Sequence, residues 1–249
     1  MTDEPMNRWL ESTRCLVIAH RGASAAAPEN TLAAFRLAAD LGADGIELDV
    51  RGTADGQLVV LHDASVNRTT DGTGRVAALT LDQLGRVDAG KKFGPSFRGE
   101  RIPLLSQVFE VVAGRLLVDV EIKAAGVEAA LLDLIRRMSM ADSVLISSFD
   151  SKVVGRMRDM APEIPVGLLH SAADPNAAVA LRAAAYLPEV VTLTADVVAV
   201  CRRHGMRVIT WTVGTEREAR DALQLGVDGI IADDPTLVRR ILTQRKASP

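Results

Sequence analysis

The chain has 249 residues, 48% hydrophobic and 24% charged, enough apolar material for the core of one large domain or two small ones. Its net charge of -3 has no strongly basic block behind it, which argues against nucleic acid as a partner. Residues 1–14 lack the apolar centre of a signal peptide, no apolar run approaches the ~18 residues of a membrane helix, and Cys15 and Cys201 have no ligand spacing. These features point to a cytoplasmic protein with free thiols and no stable membrane insertion.

In chain order, an apolar strand over 16–20 ends at His20. Asn30 or Thr31 caps a helix carrying Leu32, Phe35, Leu37 and Leu41, and Gly42 ends it. A strand follows over 44–50. Asp55-Gly56 then turns the chain into a short strand over 57–62 that ends at His62. From 63 to 101 the periodicity breaks down into Gly- and Thr-rich sequence, including TTDGTG at 69–74, Lys91, Lys92, Phe93 and Phe97. Such a long stretch predicts an insertion or lid within the main fold. With no helix expected after it, TTDGTG reads as a tight turn rather than a phosphate cradle.

Alternation resumes with a helix from Pro103 to Gly114 and a strand over 116–122. Helices are predicted over 127–138, from Asp150 or Ser151, over 177–185, 196–204 and 216–225, and from Thr236. They alternate with strands over 144–149, 166–169, 190–193, 207–213 and 229–232. Strand and helix in turn demand a parallel sheet. Eight strand starts (Leu16, Asp44, Leu116, Val144, Val166, Val190, Arg207 and Gly229) predict a TIM (β/α)8 barrel with a small insertion after the second barrel strand, residues 1–249 forming one domain. A doubly wound open sheet lacks its Gly-rich fingerprint here. The repeated G-x-D-G-I at 42–46 and 226–230 marks two similar helix-to-strand turns.

Period 2 places Glu47 and Asp49 on one face of their strand, and Glu121 and Lys123 on one face of theirs. Barrels gather reacting groups at the C-terminal ends of their strands, where His20, Glu47, Asp49, Glu121, Lys123 and Trp211 fall. Carboxylates forced together need a cation among them or a proton on one. Glu47, Asp49 and Glu121, all oxygen donors with no cysteine, suit one hard divalent cation, Mg2+ or Ca2+. One such ion with Arg21 and Lys123 leaves a single positive charge for a phosphodiester. Arg21 supplies a planar fork and Lys123 a point charge. His20 and His62 supply an acid and a base. His170 ends a strand without an evident role, and His204 reads as a helix C-terminus.

Together these segments resemble the glycerophosphodiester phosphodiesterase family: HRG at 20–22, PENT at 28–31, E-x-D at 47–49, HD at 62–63, N-R-T-T-D-G-T-G at 67–74, E-x-K at 121–123, SF at 148–149 and WTV at 211–213. The resemblance implies a TIM barrel with an insertion, and metal-dependent hydrolysis of glycerophosphodiesters to glycerol 3-phosphate and an alcohol. It carries the catalytic pair onto His20 and His62, the metal carboxylates onto Glu47, Asp49 and Glu121, and the phosphate-binding cations onto Arg21 and Lys123. Trp211 would wall the glycerol, and Phe93 and Phe97 either form a lip for the alcohol or pack the insertion. Gly214 stands where the family often has Asn, the last strand runs into Ala232-Asp233-Asp234-Pro235, and 172–190 matches weakly. Lysophospholipase D-type action and a silent phosphodiester-binding barrel are the competing readings.

Overall fold

The computed structural model describes residues 7–247. Its strands are β1 (Leu16–His20), β2 (Gly45–Gly52), β3 (Leu58–Val60), β4 (Leu117–Ile122), β5 (Val144–Ser148), β6 (Val166–His170), β7 (Ala185–Pro188), β8 (Arg207–Val213) and β9 (Gly229–Ala232). β1 pairs in parallel with both β2 and β9, so eight parallel strands close into a barrel, while β3 lies antiparallel on β2. Helices, from Leu32–Asp40 after β1 to Pro235–Ala247 after β9, wrap the outside. This is the TIM barrel that the alternation demands.

Sheet pleating sorts the core into two shells. Outward residues such as Ile46, Leu48, Val118, Val120 and Ile146 pack under the helices. Inward residues Leu16, Ile18, Leu117, Leu145, Leu169, Leu187, Ile209 and Ile231 fill the lower barrel around Trp9. Trp9 sits on a helical turn, Arg8–Glu11, that the sequence pattern did not reveal. Its indole N–H donates to the Ser143 carbonyl just before β5 (2.8 Å), and Asn7 donates to the Ala141 and Val144 carbonyls. The turn therefore packs against the N-terminal end of this apolar interior, while the carboxylates of β2 and β4 face the interior toward the C-terminal mouth.

Two expected elements lie elsewhere. The strand predicted over 190–193 is a 3-10 turn, Val190–Thr192, and the real strand begins at Ala185; the helix predicted over 177–185 is only Asn176–Ala180. The Val-Val-Thr run carries the stronger β-propensity, but register with β6 and β8 goes to Ala185 and Tyr186. Val191 is left 76% exposed. Tertiary pairing has overridden local preference.

The excursion after β3 has its own small core of Val66, Val76, Leu84, Ala89 and Ile102 against Val59 and Leu61. Contrary to expectation, helical turns (Val76–Ala78 and Leu81–Leu84) do follow TTDGTG. The segment still acts as a turn: Asp71 accepts from the Asp88 N–H and from Lys91 Nζ, tying it to the rest of the excursion.

The G-x-D-G-I turns are structural. Gly42 and Gly226 both take φ +77°, a left-handed geometry open to glycine. Each aspartate then accepts a strand N–H at 2.8 Å, Asp44 from Val17 and Asp228 from Val208. Asp44 also pairs with Arg14 and Arg239. Removing its carboxylate strands a buried N–H, so Asp44→Ala should lower stability by about 2 kcal/mol, read from urea denaturation of both proteins.

Candidate active site

β2 and β4 run side by side with Glu47 opposite Asp119 and Asp49 opposite Glu121. All four carboxyls face the barrel interior and are less than a tenth exposed. Ligand oxygens of Glu47, Asp49 and Glu121 lie within 4.8 Å of one another. Burial, then the charges of Asp49 and Glu121, pushes Glu47 well above the carboxylate range. Burial and Asp49 raise Glu121 to about 7 despite Lys123 beside it. Asp119, accepting from Ser147 Oγ at 2.7 Å, is raised to about 8, chiefly by burial.

The cations around this cluster do not saturate it. Lys123 Nζ lies 2.6 Å from Glu121 Oε1 and 3.5 Å from Asp49 Oδ1, and Arg21 Nε lies 3.3 Å from Asp49 Oδ2. Asp49 Oδ1 is fully buried and accepts no hydrogen bond. An oxygen left bare beside two further carboxylates is what a hard cation would occupy. The donor set fits one divalent ion.

Each histidine at the mouth is backed through Nδ1 by an aspartate. His20 Nδ1 lies 2.6 Å from Asp233 Oδ1, which also accepts from Ser24 Oγ; His62 Nδ1 lies 2.7 Å from Asp63 Oδ1. Both Nε2 atoms are thereby left for the cavity, with His20 Nε2 3.9 Å from Glu47 Oε2. Burial lowers the His62 pKa below the ordinary imidazole value. Arg51, from β2, grips the His62 carbonyl through Nε and Nη2.

The loop joining β1 to its helix is folded back on itself. Asn30 N–H donates to the Arg21 carbonyl, and both residues take positive φ, +58° and +54°. Gly22 follows because a Cβ there would stand 2.7 Å from Ala34. Of the two cap candidates it is Thr31 that caps the helix, accepting from the Ala34 N–H. Asn30 is instead turned inward, donating to Asp49 Oδ2 at 2.7 Å.

Two cavities meet at His20 and Arg21. The smaller, about 140 Å³, is lined by both histidines, Arg21, Glu47, Glu121 and Lys123, with Phe149, Leu169, Trp211 and Ile231 as apolar walls. Trp211 donates its N–H to the Leu187 carbonyl and stands edge-on to Phe149 at 5.3 Å, so its ring forms a fixed wall. The larger, about 340 Å³, runs toward the excursion past Ser24, Glu29, Arg68, Lys92, Phe93 and Asp233. Every predicted site residue except Asp49, buried just beneath, lines the smaller cavity. His170 instead bonds the Ala172 carbonyl and Tyr186 hydroxyl, and His204 caps a helix C-terminus. Both thiols are free, and burial raises Cys15 to about 12 and Cys201 to about 11.

Sequence reading missed Asp233, Arg68, Arg51 and Asp119. Asp119 had a signal, since it shares the period-2 face of Glu121. Asp233 had a weaker one: it follows the last strand, and barrel closure puts that strand beside β1.

Comparison with known proteins places this barrel among the phosphoric diester hydrolases. The model of the glycerophosphoryl diester phosphodiesterase family matches residues 20–237, and the chain belongs to that family. It is 42% identical to the glycerophosphodiester phosphodiesterase of Caldanaerobacter subterraneus subsp. tengcongensis over 238 residues, 92% of this chain and 98% of that one. Among solved structures, a phosphodiesterase of Oleispira antarctica in complex with the product sn-glycerol-3-phosphate matches with a TM-score of 0.88 at 30% identity, over 94% of this chain and 99% of its own. The glycerophosphodiester phosphodiesterase of Agrobacterium tumefaciens matches with a TM-score of 0.83 at 31% identity, over 91% and 99%.

The raised carboxyls make a pH prediction for the metal-free protein. Folded, they keep protons that the unfolded chain releases above about pH 4. The folded state then binds more protons than the unfolded, so stability falls as pH rises. The fall continues through Glu121 at about 7 and Asp119 at about 8. His62, lowered by burial, works the other way, one group against three. In EDTA, Tm should decrease from about pH 5 to 8, and Asp119→Asn should flatten that slope in thermal denaturation.

Proposed function

We propose that the chain hydrolyses small glycerophosphodiesters to glycerol 3-phosphate and an alcohol, with Glu47, Asp49 and Glu121 holding one divalent cation, Mg2+ or Ca2+. The observation that carries this reading is the convergence of three carboxylates within 4.8 Å, two cationic side chains and two aspartate-backed histidines at one barrel mouth. The barrel and its excursion act as one catalytic unit. No described helix is long and apolar enough to cross a membrane.

Bound there, the cation would offset the carboxylate charge and polarise a phosphoryl oxygen. Arg21 offers its fork and Lys123 its point charge to the remaining phosphoryl oxygens. His62 is the base: burial favours its neutral form, and Nδ1–H bonded to Asp63 leaves the Nε2 lone pair facing the cavity. It takes the proton of the attacking oxygen: either a water, which gives glycerol 3-phosphate directly, or the substrate's own glycerol hydroxyl, which gives a cyclic glycerol phosphate that a water then opens to glycerol 3-phosphate. As the bond from phosphorus to the alcohol breaks, His20, between Asp233 and Glu47, gives its proton to the departing oxygen.

The two cavities suit the two arms of such a diester. A three-carbon glycerol fits the smaller, against Trp211 and Phe149, while the larger, with Phe93 at its edge, takes the alcohol. The relative solved with sn-glycerol-3-phosphate is consistent with that product.

The test is a panel of glycerophosphodiesters, with lysophosphatidylcholine beside glycerophosphocholine, assayed with chelator and then with Mg2+, Ca2+ or Mn2+ restored. Turnover should disappear in chelator and return with the ion. His20→Ala should cut kcat by about a hundred- to ten-thousand-fold with an unchanged circular dichroism spectrum. Near-normal turnover in that variant, or full activity in chelator, overturns the reading.

A further inference from the structure

Arg68 lies in the excursion, outside the barrel, and touches none of the carboxylates that would hold the cation. Its guanidinium makes four bonds to two acids. Nε and Nη2 donate to Asp63 at 2.8 and 3.0 Å, and Nη1 and Nη2 donate to Glu29 at 2.6 and 2.9 Å. Behind those acids stand the two groups the reaction needs from this side. Asp63 holds His62 Nδ1 at 2.7 Å, and Glu29 accepts from Arg21 Nη1 at 2.9 Å. One side chain thus fastens the acid that orients a histidine and the acid that shares the phosphate-binding arginine.

The chemistry of each arm gives Arg68 a definite task. A carboxylate clamped through both oxygens has one orientation, so Asp63 can present only one lone-pair direction to His62 and select a single tautomer. Released, Asp63 is free to turn toward water, and the imidazole loses its selection. On the other arm, Glu29 divides its charge between two arginines. Without Arg68 the whole charge falls on Arg21 and competes with the phosphate for its fork.

We propose that Arg68 is a positioning residue, through which the excursion sets the tautomer of His62 by way of Asp63 and frees Arg21 for phosphate by way of Glu29. The inference rests on the reading of His62 and Arg21 given above. It predicts a split effect: kcat falls through the Asp63 arm and KM rises through the Glu29 arm. A lysine cannot replace the fork, because it offers a point charge rather than two parallel donors.

The experiment measures kcat and KM on glycerophosphocholine for Arg68→Ala and Arg68→Lys, alone and combined with Asp63→Asn or Glu29→Gln, and reads the His62 tautomer by 15N NMR of the imidazole. Arg68→Ala should lower kcat about 10- to 100-fold, the range for partners that orient catalytic groups, and raise KM several-fold. Arg68→Lys should recover only part of the loss, and free guanidinium ion should restore part of it to Arg68→Ala. In the Asp63→Asn background the kcat effect of Arg68→Ala should largely vanish, and in the Glu29→Gln background so should its KM effect. The His62 ring should shift from a single Nδ1–H form to a mixture. Kinetic constants within about twofold of the parent enzyme with an unchanged tautomer, or effects that simply add in the double variants, overturn the proposal. If Arg68→Ala does not fold, Arg68→Gln takes its place in each comparison. If the parent enzyme turns over no glycerophosphodiester, the functional reading fails on its own, and the tautomer measurement still decides the role of Arg68.

Discussion

Glu47 and Asp49 on one strand face Asp119 and Glu121 on the next, pair by pair, and all four are buried. Parallel pairing fixes the spacing between strands and pleating fixes the spacing along them, so these acids cannot move apart without breaking the sheet. Their repulsion has to be met by charge, by protons or by an ion. The surrounding architecture reads as a set of responses to that demand. Lys123 and Arg21 approach from the two sides, Asn30 gives one oxygen a donor, and Asp119 and Glu121 hold protons more tightly than exposed acids do.

The same constraint organises the backbone around the mouth. Arg21 and Asn30 adopt left-handed geometry, unusual for residues with side chains, and thereby bring a guanidinium and an amide to the same carboxylate. Below them the barrel is filled by apolar side chains down to Trp9. Burial raises the acids first, and the charge of their neighbours adds to it.

Much of this was legible in the chain itself, for identifiable reasons. Glu47 with Asp49, and Glu121 with Lys123, could be placed because period 2 is a local rule, and the strand ends because alternation of strand and helix leaves only a barrel or an open sheet. What escaped depends on contacts between distant segments. Asp233 is 213 residues from His20 and meets it only because the barrel closes. Asn30 resembles any helix cap until its φ turns positive and Thr31 takes the capping role. Arg68 sits in a stretch whose irregular pattern hid its two acid partners. The misplaced strand at 190–193 shows the converse, a run with the right residue types that the neighbouring strands do not pair with.

The seam between β1 and β9 has a consequence for how the protein comes into being. The carboxylate that orients the His20 ring arrives with residue 233, immediately after the final strand has docked on the first. A growing polypeptide carries nearly every other polar group of the mouth long before that, yet its first histidine stays unaimed until the ring of strands is shut. The setting of that ring is in this way coupled to completion of the circle, and a chain ending before residue 233 would carry the acids of β2 and β4 without the partner that His20 needs.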